Sequence, residues 1–218
     1  LYLDPILIKQ APSLALGNAK KELLHLGRYA MRSFELAYDY IVNNTEKSAD
    51  KGHKVEEAIN KIDEDLTRYL IDLSSEPLSQ KESEVLTNIL DSSRDLERIG
   101  DHGEALINLT DYIRRKKVEF SPAALQELDL IYNMTLSFIK ESLKSVEDND
   151  IELANSLVAK HEAIDKMERK LRKTHIHRLN RGECSTQAGV NFIDIISHYT
   201  RVADHAMNLA EKVQAEQI

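Results

Sequence analysis

The amino-acid sequence predicts an all-α protein built as two tandem three-helix bundles, and three observations carry the prediction. Apolar residues recur at alternating spacings of three and four, glycine and proline are scarce (7 and 4 in 218 residues), and one pentapeptide pattern returns about halfway along the chain. A sheet of this size would need many more turn residues. With 42% hydrophobic residues the chain can bury a core, as one large domain or two small ones.

Residues 1–15 read as a leading linker, and because the sequence opens at Leu1 rather than Met, a segment of a longer polypeptide is expected. From Leu16 the stripe Leu16, Ala19, Leu23, Leu26, Ala30, Phe34, Ala37 and Ile41 predicts a first helix over about 12–46. A turn at Asp50 to His53 follows. Val55, Ile59, Ile62, Leu66, Tyr69 and Leu73 then define a second helix, which Pro77 stops.

Ser79 with Glu82 forms a capping-box pattern ahead of a third helix carrying Val85, Ile89, Leu96, Ile99, Gly103, Leu106 and Ile113. Arg114 to Lys117 suit its negative C-terminal end. Ser121 and Pro122 cap a fourth helix running to about Glu147, a fifth occupies about 150–181, and a sixth takes the remainder. Arg-Ile-Gly-Asp-His at 98–102 returns as Arg-Val-Ala-Asp-His at 201–205, and Glu57-Ala58-Ile59 as Glu162-Ala163-Ile164. The first repeat is therefore placed at 16–118 and the second at 119–218.

The net charge of -8 leaves no basic footprint for nucleic acid, so no nucleic-acid partner is expected. The single Cys184 excludes an internal disulfide and offers no thiolate zinc pattern. No apolar run approaches the roughly 20 residues that cross a bilayer, so the segment itself is expected to be soluble.

Ionisable residues stand where the core should be. On a helical wheel Arg94, Glu97, Asp101, Glu104 and Asn108 form a polar strip on the third helix, and Ser197, Thr200, Asp204, Asn208 and Glu211 its equivalent on the sixth. Glu56 and Asp63 lie within about 60° of Ile59 on the inner side of the second helix. His161 and Glu168 are their counterparts around Ile164, with Asn60 and Asp165 at the border. Such acids need compensation: metal ions held by carboxylates on facing helices, or salt bridges and solvated faces, Arg94 and Arg98 being near at hand.

Glu22-x-x-His25 resembles half of a di-iron motif, but no second copy exists, and an ordinary surface or satisfied histidine is the expectation. Without a phosphate-binding glycine loop, GxSxG or HExxH, no enzyme is predicted. Arg169, Lys170, Arg172, Lys173, Arg178 and Arg181 make the far end of the fifth helix basic. That end is either a solvated face or a surface for an acidic partner or anionic membrane.

Asp95-Leu-Glu-Arg-Ile-Gly-Asp-His102 resembles the signature of the PhoU family, and Arg201 to His205 with Asn208 and Glu211 resembles its second copy. The resemblance spans nearly the whole chain and implies six helices in two repeats. It also implies a metal motif of an acid followed four residues later by Asp, complete in Glu97 and Asp101. The motif is eroded elsewhere, to Glu56 with Asn60, His161 with Asp165 and Thr200 with Asp204. The candidate ligands are Glu97 and Asp101 first, then Glu56, Asp63, Asp165, Glu168, Asp204 and Glu211, for a divalent or ferric ion such as Fe, Zn or Mg.

Leu3-Asp4-Pro5 with Pro12 to Leu16 resembles the junction behind the membrane part of bacterial sodium/phosphate cotransporters. That implies a regulatory domain on the cytoplasmic face of the inner membrane, with the transporter's membrane domain as its partner in cis. The alternatives are a free-standing PhoU regulator serving a phosphate ABC transporter and a sensor kinase, and a carboxylate-bridged metalloenzyme. A homodimer is compatible with each.

Overall fold

Side-chain oxygens at the chain's punctuation points set most of the helix starts in the computed structural model, which describes residues 2–43 and 45–218. The order is α1 (Pro5–Gln10), α2 (Pro12–Asn43), α3 (Glu46–Leu73), α4 (Gln80–Arg115), α5 (Pro122–Asp148), α6 (Ile151–Asn180) and α7 (Thr186–Gln214). At α4 the capping box closes in both directions: Ser79 N–H donates to Glu82 Oε2 (2.8 Å), and Glu82 N–H to Ser79 Oγ (3.2 Å). Ser121, Asp150 and Ser185 accept from Ala124, Leu153 and Ala188 at the heads of α5, α6 and α7. Asn149 ends α5 in the left-handed region at φ 52°, a conformation that asparagine tolerates well.

Two boundaries differ from the sequence reading. The expected turn at Asp50 to His53 is helical, because α3 begins at Glu46. The preceding corner is held by Asp39, whose carboxylate accepts from Thr45 Oγ1 (2.9 Å) and the Ser48 hydroxyl. Gly52 is not punctuation there: a Cβ on it would collide with Ile107 Cδ1, so it permits α3 to approach α4 closely. The first helix ends at Asn43 rather than near 46, Asn44 lying outside the described residues.

The leading segment is also partly helical. Asp4 caps α1 by accepting from Ile6 N–H (3.0 Å), and Tyr69 donates to the Asp4 carbonyl (3.1 Å). Tyr2 N–H donates to Oε2 of the fully buried Glu22 (2.8 Å), whose other oxygen is 2.9 Å from His25 Nδ1. Glu22 and His25 therefore fasten this segment, and Leu1 lies outside the described residues.

Helices α2 to α4 form one bundle and α5 to α7 the other, with α2 against α5 and α4 against α7. The pairs are antiparallel: Tyr38 reaches Asp129 while Lys20 reaches Asn149, and His102 meets His198 while Asn88 meets the Gln217 carbonyl. Phe34 of α2 packs on Tyr132 of α5 and edge-on to Tyr199 of α7, with ring centroids 5.3 and 5.0 Å away. One apolar cluster thus runs through both repeats. No helix is long and apolar enough to cross a membrane among the described residues.

Candidate metal centres

Helices α3 and α4 carry the first set of acids. Glu56 projects from the inner side of α3, is only 5% exposed, and leaves Oε2 without a hydrogen-bond partner. Gly100 makes room for it, since a Cβ there would stand 2.7 Å from that oxygen. Burial, and then the charges of Asp101, Glu104 and Glu97, push the Glu56 carboxyl up to about 7, while Asn60 opposes the shift. Asp63 likewise has one buried, unpartnered oxygen.

Glu97 is pushed upward by burial, Asp101 and Asp63, against the pull of Arg98 and His205. The cationic compensation is thin. Arg98 donates to Asp101 Oδ2 (3.0 Å) and lies 3.8 Å from Glu97, and His53 is 3.7 Å from Glu104. The α3–α4 face therefore collects Glu56, Asp63, Glu97, Asp101 and Glu104 around an unmet negative charge. An oxygen-only donor set of this kind suits a hard cation, and the buried oxygens fit that chemistry.

The second repeat departs from this pattern. His161 Nε2 lies 2.7 Å from Asp204 Oδ1, and Nδ1 is 3.9 Å from Asp165 Oδ2. One donor atom from each of the three falls within 4.8 Å of the others, which suits an imidazole-accepting ion. Glu168, named with them from sequence, is instead tied to Arg172, whose Nε donates to it at 2.9 Å and whose Nη2 also reaches Ser197 Oγ. Glu211 is exposed and outside this set. Among the described residues only His161, Asp165 and Asp204 bring three donor atoms this close; the α3–α4 acids, Glu97 and Asp101 included, form no such group although the strongest sequence motif is on α4.

The histidines of the repeated pentapeptide point elsewhere, into the seam between α4 and α7. His102 Nδ1 is 2.9 Å from His198 Nδ1. Asp95 Oδ1 accepts from His205 Nδ1 and Asn208 Nδ2, each at 2.9 Å, with Lys212 3.8 Å from its other oxygen. Burial, then His198, His205, Arg201 and Arg98, hold His102 down at about 4. Sequence reasoning missed this cluster, although Asp95, His102 and His205 all belong to the repeated signature.

A family model described as the PhoU domain matches residues 23–110 and again residues 128–213. The phosphate-specific transport system accessory protein PhoU homolog 1 of Thermotoga maritima is 32% identical over 133 residues, which cover 61% of this chain and 56% of that protein. YjbB of Escherichia coli O157:H7, named for inorganic phosphate export, is 26% identical over 170 residues, 78% of this chain and 31% of that protein. The chain thus spans little more than half of one relative and under a third of the other. The crystal structure of the phosphate transport system regulatory protein PhoU from Streptococcus pneumoniae shares the fold, with a TM-score of 0.83 at 21% identity over 95% of this chain and 99% of that one.

Proposed function

Because the chain belongs to the PhoU family, matched in both of its repeats, we propose that it is a non-enzymatic regulator of phosphate transport, acting as an accessory protein on a separate transporter or phosphate-signalling protein. The repeated PhoU match over both three-helix units carries this reading. Relatives named as an accessory and a regulatory protein of phosphate transport support it. A second reading, a regulatory domain within a longer transport polypeptide such as a sodium/phosphate cotransporter, draws on the alignment of 78% of this chain to 31% of YjbB.

The two donor faces hold metal ions in this reading. Glu56, Glu97 and Asp101, with Asp63 and Glu104 beside them, take a hard ion such as Mg²⁺ or ferric iron. His161, Asp165 and Asp204 take a borderline ion such as Zn²⁺ or ferrous iron. The unpartnered buried oxygens of Glu56 and Asp63 support the first, and the 4.8 Å donor cluster supports the second.

Labelled phosphate uptake in cells lacking the gene tests the function. The regulatory reading expects altered uptake in phosphate-rich medium, restored by this chain expressed separately. Restoration only when the chain is joined to the rest of its polypeptide would favour the second reading. Unchanged uptake would reject both.

A further inference from the structure

The second half of α6 is strongly basic in a chain of net negative charge. Between Lys166 and Arg181 there are seven basic residues and one acid, Glu168, whereas the rest of the sequence has 22 basic and 36 acidic residues. The arrangement is regular. Lys166, Arg169, Lys170, Lys173, His177 and Arg181 fall at helical spacings of three and four and share one exposed face. Glu168 faces the other way and is occupied by Arg172, as Glu127 is by Arg178.

Lys166, Arg169, Lys170 and Lys173 have no ion-pair partner among the described residues, and Arg181 has only Glu183 at 3.7 Å. Amid these cations Ile176 is 45% exposed. The strip runs for about 22 Å at 1.5 Å per residue. The antiparallel order also brings the exposed Arg115, Lys116 and Lys117, at the end of α4, to the same end of the molecule.

We infer that this face of α6 docks the protein on an anionic lipid surface. A straight row of mainly lysine charges around an exposed isoleucine suits a flat array of headgroups, with the apolar side chain entering between them. None of five well-formed cavities among the described residues is lined by Lys166, Arg169, Lys170 or Lys173, so none of these grips a small anion against the strip. Glu162 and Asp165 border the strip at its Lys166 end and Glu183 at its Arg181 end, while charges more than about 8 Å apart are screened at physiological salt. Docking through this strip would turn the face carrying Lys166, Arg169, Lys170 and Lys173 towards the headgroups. The choice of lipid as occupant rests on the transport reading, since a transporter's regulator works beside a membrane.

Cosedimentation of the full chain with vesicles tests the docking. Binding is expected to vesicles of phosphatidylglycerol in phosphatidylcholine, not to phosphatidylcholine alone, and is expected to weaken steeply with added salt. Replacing Lys166, Arg169, Lys170 and Lys173 together by Gln should weaken it at least about tenfold. A control replacing the exposed Lys21, Lys54, Lys81 and Lys140 by Gln should retain it, and circular dichroism of both variants should match the parent. Equal loss in the control, equal binding to neutral vesicles, or retention of poly-glutamate but not of vesicles would overturn the inference. Uptake still regulated in cells by a protein that ignores vesicles would sink the docking face alone and leave the transport function standing.

Discussion

His102 and His198 meet Nδ1 to Nδ1 at 2.9 Å across the seam between the two repeats. Only one hydrogen fits between two ring nitrogens, so the pair is satisfied when one imidazole donates and the other accepts. Adding a second proton sets two donors against each other, with Arg98, Arg201 and His205 already nearby and Asp194 the acid that favours a charged His198.

The first prediction concerns acid sensitivity. The folded value of His102, about 4, lies below its ordinary 6.5, so the unfolded chain binds more protons in between. The stability from this histidine is therefore complete above pH 6.5 and lost as the pH falls towards 4. Thermal unfolding of metal-free protein should show a midpoint falling by several degrees over that window. His102→Gln should flatten the slope, and an unchanged slope would refute the assignment.

Glu56 has the opposite sign. Its folded value of about 7 exceeds the ordinary 4.5, so its contribution is present below pH 4.5 and is lost as the pH rises through 7. Glu56→Gln should leave metal-free protein at pH 8 as stable as the parent, or more so, while weakening metal binding. An ion at 100 times its dissociation constant stabilises a fold by about 2.7 kcal/mol. The variant should lose most of that increment in Mg²⁺ and Fe³⁺ titrations followed by calorimetry, and keep the response to Zn²⁺.

Two glycines should respond oppositely to alanine. A Cβ at Gly103 would strike Ser33 Oγ and crowd the Ser33 backbone at 3.3 Å, so Gly103→Ala should cost about 1–3 kcal/mol. Gly17 has nothing within 4 Å of such a Cβ and lies inside α2, so Gly17→Ala should stabilise by about 0.5–1 kcal/mol. Urea titrations of the two variants decide both signs.

Asp95 links the repeats by accepting from His205 and Asn208. Asp95→Ala should destabilise by about 1–3 kcal/mol because it strands two part-buried donors. A double-mutant cycle with Asn208→Ala should give a coupling of about 0.5–3 kcal/mol. Additive effects would show that the seam does not depend on this contact.

What sequence reveals here follows from what is local. The Ser79–Glu82 box and the Ser121–Pro122 start were legible because a cap is satisfied within four residues. The duplication was legible because the Asp-His pattern survives in both copies. The turn expected at Asp50 to His53 is helix instead because a glycine, here Gly52, serves turns and close helix approaches alike, and only the position of Ile107 separates the two. The inward acids were visible from periodicity. The partnership of His161 with Asp204 depends instead on how α6 meets α7, and that of His102 with His198 on which flank of α4 faces the other bundle. A single helix's pattern contains neither.

The packing of Phe34 against Tyr132 and Tyr199 makes each repeat finish the other's interior. A lone three-helix unit with this aromatic face would have to meet a second unit by diffusion, and the pairing would dissolve on dilution. The short 116–121 connector, through Val118 and Phe120, makes the encounter intramolecular, at an effective concentration set by its reach and not by the cell's supply of protein. Both halves should consequently melt in a single transition whose midpoint is independent of dilution.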